Sequence, residues 1–160
     1  QAVVGSIYAN FGPRGKGLGT WGSDRYPVGA RFDVDDLATA FVRFENGATL
    51  AVEASWAGHG TDGQRLQIFG TEGGVEYNDK LFGAEHPVRF FCEDGDELLE
   101  EPIDVPEACR SAYECEVSDW VQRIRDGRPP LTTPEEAALV VLIVESIYKS
   151  AATGEEVILS

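Results

Sequence analysis

The chain has 160 residues, which favours a single domain with a core of its own and no need of disulfide staples. Its 28 acidic and 13 basic residues give a formal charge of -15, and a field of that sign repels nucleic acid and anionic membranes. No apolar run reaches the roughly 18 residues of a membrane span, and no charged-then-apolar leader opens the chain, so we expect a cytoplasmic protein without nucleic acid or membrane partners.

Two further features of the composition concern the origin of the chain and its thiols. The sequence contains no Met, which suggests a processed chain or an excised fragment. Few of its basic residues are Lys, and so acidic a surface could reflect a high-salt cell, although an ordinary acidic cytoplasmic protein is the simpler explanation. Cys92, Cys109 and Cys115 form no CxxC pair and are odd in number, so we expect buried thiols rather than a disulfide framework or a zinc site.

The first predicted strand, Ala2 to Phe11, is rich in β-branched and aromatic residues. A long segment punctuated by Gly and Pro follows it, and within that segment Gly17 to Gly22 reads GLGTWG, a literal match to the dinucleotide fingerprint. The fingerprint needs a strand that ends at the glycines and a helix that begins there, and the surrounding sequence supports neither. We therefore predict a loop with no bound cofactor.

The stretch from Leu37 to His59 predicts a β-hairpin, because Asn46-Gly47 lies between two runs of alternating apolar residues. A two-residue type I′ turn there places Phe41 opposite Val52 on a core face. The other face is small, partly apolar and weakly charged, unlike the polar face that an antiparallel sheet turns to water, so a partner is expected to cover it. Its residues are Ala38, Ala40, Val42 and Phe44 on one strand and Thr49, Ala51, Glu53 and Ser55 on the other.

Two more hairpins follow in the sequence. Strands are expected at Arg65 to Gly70 and at Gly74 to Asn78, and a third hairpin begins with Val88 to Glu93 and turns at Asp94-Gly95. The acidic residues from Glu93 to Glu101 lie on this last hairpin and lack EF-hand spacing, so solvated charge that protects a sheet edge explains them best. A complete enzyme that uses the acidic clusters as acid and base is the weakest alternative.

The C-terminal third changes to a helical period. An apolar stripe predicts a first helix with Gly127 as its C-cap, and Thr133, Pro134 and Glu136 supply the cap, first-turn proline and capping-box glutamate of a second helix that runs to Thr153. Strands first and helices afterwards predict an α+β fold: an antiparallel-rich open β-sheet with helices packed on one face and the other face free for dimerisation. The stripe consists of Tyr113, Val117, Trp120, Val121 and Ile124.

Candidate binding residues come from the loop after the first strand, which concentrates cations and aromatics in an acidic chain and could close over a polar or anionic ligand. A histidine just past a strand end, in SWAGHG, could reach the same pocket. The alternative is an exposed loop with scattered polar residues. Neither histidine has a triad or metal spacing, and no catalytic constellation is present. The candidate substrate-binding residues are Arg14, Lys16, Trp21, Tyr26 and His59.

Three segments together resemble the C-terminal domain of the glucose-fructose oxidoreductase, inositol dehydrogenase and MocA family. They are FDVDDLATAFVRFENGATLAVEASWAGH, RLQIFGTEGGVEYN and DWVQRIRDGRPPLTTPEEAALVVLIVESIYKSAATGEEVIL. The resemblance spans nearly the whole chain, in the family's order, and it is specific because the hairpin, the GTEGG turn and the helix junction match together.

The resemblance implies that residues 1–160 form a single substrate and oligomerisation domain, without the family's N-terminal Rossmann domain and its NAD or NADP. The family's E-K-P lysine motif belongs to that missing half, and its D-x-G-x-H motif does not occur at His59 or His86. It therefore implies a parent enzyme that moves hydride between nicotinamide and a sugar-like or polyol carbon, while this chain is inactive alone, binds no cofactor and dimerises through the open sheet face. A stand-alone, non-catalytic binding or assembly module of the same fold is the alternative.

Overall fold

A computed structural model of the chain describes residues 1–15, 31–60, 63–78, 87–104 and 111–159, which form eight strands and two α-helices. The chain divides into two compact units, Gln1–His59 with Pro130–Ser160, and Gly60–Pro129. In chain order the elements are β1 (Ala2–Tyr8), β2 (Leu37–Arg43), β3 (Thr49–Ser55), β4 (Arg65–Phe69), β5 (Gly74–Asn78), β6 (Val88–Asp94), β7 (Glu97–Ile103), α1 (Ala112–Asp126), α2 (Pro134–Thr153) and β8 (Val157–Ile158).

The first unit contains a four-stranded antiparallel sheet in the order β3-β2-β1-β8, with α2 packed on β1. Val3 and Val42 lie opposite each other on β1 and β2, and both pack in the core with Ile147 of α2. The helix comes so close to the sheet that a Cβ atom on Gly5 would lie 2.7 Å from Ile147 Cγ2. A glycine at this position therefore lets α2 reach the sheet.

Strand β8 is too short to cover the outer edge of β1, because it pairs only with Ala2 and Val3. Beyond it, the Ser150 hydroxyl of α2 accepts a hydrogen bond from the Gly5 backbone N–H at 3.0 Å and donates one to the Glu155 carbonyl at 2.7 Å. Ser150 is only 2% exposed, and without it the partly buried N–H of Gly5 would lose this acceptor. This serine ties the helix to the sheet.

The register of the β2–β3 hairpin corrects the predicted one by one residue. Phe44 N–H donates to the Ala48 carbonyl at 2.9 Å, and Gly47 N–H donates to the Phe44 carbonyl at 3.1 Å, so the loop has three residues rather than two. Gly47 has a φ of 87°, the left-handed conformation that closes a three-residue hairpin. Both kinds of turn place glycine at a positive φ, so the Asn-Gly signal alone did not distinguish them.

The corrected register exchanges the faces of β2. Val42 is fully buried, and the whole set that was predicted to face a partner lies instead on the side covered by α2, so that prediction was wrong. The set consists of Ala38, Ala40, Val42 and Phe44. The β3 residues from Thr49 to Ser55 that were assigned to the open face keep that place. The open face is still apolar: Val4, directly opposite Phe41, is 47% exposed and Phe41 is 46% exposed.

The second unit contains a four-stranded antiparallel meander in the order β4-β5-β6-β7. Its last turn consists of Gly95 and Asp96, because Asp94 pairs with Glu97, one residue later than the sequence suggested. Gly95 has a φ of 63°, whereas no described residue other than glycine has a positive φ. This pattern fits a type II′ turn rather than the predicted type I′ turn.

The α+β class and the helix ends are confirmed. Gly127 ends α1 at a φ of 64°, and Thr133 and Glu136 form the reciprocal capping box of α2. The strands are nevertheless divided between two sheets, which the alternation within each strand could not indicate because it does not specify which strands are neighbours. Among the described residues, neither helix is long and apolar enough to cross a membrane.

The expectation of buried thiols without a disulfide was wrong. Cys115 in α1 is disulfide-bonded, and Cys92 in β6 is a free thiol that is only partly buried. An odd number of cysteines excludes a complete pairing, but it does not exclude one bond. Cys109 lies outside the described residues.

Candidate functional site

Three strand ends of the first unit meet at Asp36, the residue that precedes β2. Its backbone N–H donates to the Tyr8 carbonyl at 2.8 Å, at the end of β1. Its carbonyl accepts from Trp56 N–H at 3.2 Å and from the Ser55 hydroxyl at 3.0 Å, at the end of β3. The backbone of this one residue therefore joins the segments that leave β1 and β3.

The side chain of Asp36 holds the chain that follows β1. Its Oδ2 atom accepts hydrogen bonds from the backbone N–H groups of Phe11 at 2.6 Å and Gly12 at 3.1 Å, and the residue is 1% exposed. These amides open a single 3-10 turn, Gly12–Arg14, whose N-cap side chain makes no capping bond. The carboxylate supplies the missing cap from 24 residues away.

Two of the five predicted binding residues, Arg14 and His59, contact the ring of Phe11. The Arg14 Cζ atom lies 5.6 Å from the centre of the Phe11 ring, and the His59 and Phe11 rings meet edge to face at 4.9 Å between centres. Such ring contacts favour defined positions for a cation and an imidazole. The other predicted binding residues, Lys16, Trp21 and Tyr26, lie outside the described residues, as do Gly17 to Gly22.

A second pair of rings lies beside the same turn. The Phe32 and Trp56 rings are 5.5 Å apart between centres, and a Cβ atom on Gly12 would lie 2.0 Å from a Phe32 ring atom. Trp56 Nε1 donates to the Asp35 carbonyl at 2.7 Å, which fixes the indole although the residue is 40% exposed. We call Phe11, Gly12, Arg14, Phe32, Asp36, Trp56 and His59 the Asp36 corner.

Sequence reasoning missed most of the Asp36 corner. Phe11 was assigned to the first strand, whereas that strand ends at Tyr8 and Phe11 lies beyond it. Asp36 is the last residue of the acidic run DVDD, Asp33 to Asp36, and only its position directly before a predicted strand distinguished it from the rest of the run. Trp56 follows β3 immediately, so its place at a strand end was the available signal.

The Asp36 corner offers groups that bind hydroxylated or anionic ligands. A guanidinium donates several hydrogen bonds, an imidazole donates or accepts, and exposed aromatic faces pack against C–H surfaces. Within the described part of the chain, no group of three His, Cys, Asp or Glu side chains is arranged to hold a metal ion. The guanidinium, the imidazole and the aromatic rings of the corner are suited to binding such ligands.

The second unit has a cavity of about 410 Å³ around the turn between β4 and β5. Glu76 lines it and is 8% exposed, and its carboxylate accepts from Arg65 Nε at 3.1 Å and Gln67 Nε2 at 3.0 Å. Because both oxygens have partners on the neighbouring strand, this carboxylate stabilises the β4–β5 pair. We assign it no chemical role.

Comparison with known proteins identifies relatives that match most of the chain. A sequence profile described as "Oxidoreductase family, C-terminal alpha/beta domain" matches residues 10–159. D-xylose 1-dehydrogenase (NADP(+)) 2 from Haloferax volcanii is 29% identical over 131 residues, which cover 78% of this chain and 37% of that protein. The chain thus spans little more than a third of that curated relative.

Solved structures share the fold. Levoglucosan dehydrogenase, in complex with NADH and levoglucosan, superposes with a TM-score of 0.68 at 23% identity over 98% of this chain and 44% of that one. Aldose-aldose oxidoreductase from Caulobacter crescentus, complexed with glycerol, gives 0.65 at 20% identity over 99% of this chain and 41% of that one. At these identities the likeness shows the fold alone.

Proposed function

Because the chain belongs to the family of glucose-fructose oxidoreductase, inositol dehydrogenase and MocA, we propose that it is the C-terminal domain of an NAD(P)-dependent oxidoreductase acting on a sugar-like or polyol substrate. In this proposal the domain shapes the substrate pocket and mediates oligomerisation. Two relatives support the substrate class and the nicotinamide cofactor: the D-xylose 1-dehydrogenase (NADP(+)) and the levoglucosan dehydrogenase in complex with NADH and levoglucosan.

The observation that carries the substrate role is the packing of Arg14 and His59 on the single ring of Phe11. A sugar presents hydroxyl groups at its rim and C–H groups on its faces. The guanidinium and imidazole suit the hydroxyl groups, and the aromatic rings suit the faces. The Asp36 corner therefore forms one wall of the proposed substrate site.

The cofactor belongs to another domain in this proposal. Among the described residues, no strand passes through a Gly-rich turn into the N-terminus of a helix, which is the arrangement that binds a dinucleotide pyrophosphate. We propose that a Rossmann domain binds the nicotinamide and that this chain alone is inactive.

The open face of the first sheet is the proposed dimer surface. Besides Val4 and Phe41, it includes Ile158, which pairs with Ala2 and is 67% exposed. Apolar side chains on one flat face can meet their own copies across a two-fold axis and close the assembly. A homodimer through this face would remove them from water.

The test compares the 160-residue chain with the complete protein that contains it. We expect the complete protein to exchange hydride between NAD(P) and a sugar or polyol, measured by the absorbance of the reduced nicotinamide. The chain alone should show neither turnover nor cofactor binding by calorimetry. Cofactor binding by the chain alone with a Kd of about 1 μM would contradict the proposal.

The second candidate is a stand-alone, non-catalytic binding or assembly module. Like the oxidoreductase proposal, it accounts for the family fold and for the contacts of Arg14 and His59 with the ring of Phe11. The coding sequence immediately before Gln1 separates the two candidates. The oxidoreductase proposal expects a Gly-rich βαβ unit followed by an Asp-x-Gly-x-His helix there, and the module requires neither.

A further inference from the structure

Asp36 joins strand ends through its backbone, and its buried carboxylate has a separate use. A buried charge is costly unless hydrogen bonds satisfy it, and a turn can be capped by the neutral side chain of Ser or Asn. At 1% exposure, Asp36 nevertheless directs one oxygen to two consecutive amides of the turn. Charge-assisted hydrogen bonds are stronger and shorter than neutral ones, so this arrangement restrains the turn more tightly.

Both segments that carry the candidate binding residues depend on Asp36. Its side chain holds Phe11 and Gly12, and Arg14 follows two residues later. Its carbonyl holds the N–H of Trp56, and His59 follows three residues later. The ring of Phe11 then contacts both the guanidinium and the imidazole.

We propose that Asp36 is a positioning residue that fixes the Phe11–Arg14 turn against His59 and thereby sets the affinity for the sugar-like substrate. This inference rests on the proposed function of the Asp36 corner. Asp36 itself touches no substrate, because its carboxylate is buried against the backbone. It acts by keeping Arg14 and His59 at a constant separation, which reduces the entropy lost when a ligand binds.

The neighbouring residue provides a matched control. Asp35 carries the same side chain one position earlier, but its carboxylate accepts from the Tyr148 hydroxyl of α2 rather than from the turn. The bond from Trp56 Nε1 to Asp35 uses the backbone carbonyl, so Asp35→Asn preserves it. Both substitutions remove one charge without changing side-chain size, and only Asp36→Asn weakens the hydrogen bonds that hold the turn.

The experiment measures steady-state kinetics of the complete protein with its sugar substrate. Asp36→Asn should raise the sugar KM about tenfold while kcat changes less than about twofold, since the neutral Asn oxygen accepts from the two amides more weakly than a carboxylate does and so holds the turn that carries Arg14 less firmly. Asp35→Asn should leave KM unchanged. The double variant Asp36→Asn with Arg14→Ala should have the same sugar KM as Arg14→Ala alone, because Asp36 affects binding through Arg14.

Amide hydrogen exchange in the unaltered protein gives a second measurement. Phe11 and Gly12 should exchange slowly, and Asp36→Asn should accelerate both. Exchange as fast as that of exposed amides would overturn the proposal even if the variant did not fold. An unchanged KM in Asp36→Asn, with KM raised by Arg14→Ala, would overturn this inference alone. If neither Arg14→Ala nor His59→Ala changed the sugar KM, the proposed function of the corner would be overturned together with this inference.

Discussion

The Tyr148 hydroxyl of helix α2 donates a hydrogen bond to the carboxylate of Asp35, the residue next to the centre of the Asp36 corner. This bond raises the pKa of Tyr148 above its usual value of 10.0, and partial burial and the negative charge of Asp35 raise the pKa further. The bond joins the helix to the segment that enters β2. The pH dependence of stability should therefore report on this contact.

We predict that Tyr148→Phe lowers the free energy of unfolding by less than about 1 kcal/mol at neutral pH, because the bond is partly exposed. A phenol whose folded pKa is raised stabilises the protein fully below the unfolded pKa of about 10 and loses that contribution as the pH rises through the folded pKa. Urea unfolding at neutral pH and about pH 11 measures the effect. Tyr113→Phe, at an exposed site, is the control, and an equal pH response in both variants would contradict the prediction.

The corrected hairpin register separates residues that bury the core from residues of the proposed dimer face. Phe41→Arg should place a charge on the open face and convert a dimer to a folded monomer. Val42→Ala, one residue along, should instead cost about 2 kcal/mol of stability and leave the dimer in place. Sedimentation equilibrium and chemical unfolding of both variants test this pair. A monomeric unaltered chain would refute the assigned face.

Ser150, which bonds to the sheet, should contribute more to stability than Ser146, which bonds only within helix α2. Ser150→Ala leaves the partly buried Gly5 N–H without its acceptor and should cost about 1–3 kcal/mol. The hydroxyl of Ser146, also buried, donates only to the Leu142 carbonyl of α2, so Ser146→Ala should cost less. Thermal unfolding of the two variants measures the difference. Equal losses would show that the link from helix to sheet contributes little.

Features determined by neighbouring residues were predictable, and features determined by distant ones were not. The capping box of Thr133 and Glu136 lies within four residues, so its sequence pattern is sufficient. The hairpin register depends on whether Gly47 closes a two-residue or a three-residue loop, and the sequence permits both. The error of one residue then moved Val42 from the core to the open face.

The candidate site shows the same division. Arg14 and His59 were identifiable as polar residues just beyond predicted strand ends, where binding residues tend to occur. Asp36 was not, because the two amides that it binds are 24 and 25 residues away and only the folded sheet brings them together. A short acidic run is usually solvated, so composition gave no reason to single out its last residue.

Arg14→Ala in the complete protein tests the central claim that the Asp36 corner binds substrate. Steady-state kinetics with the sugar and the nicotinamide varied separately should show the sugar KM raised about tenfold, as expected for the loss of hydrogen bonds from a charged group, and the cofactor KM unchanged. An unchanged sugar KM and kcat would contradict the account.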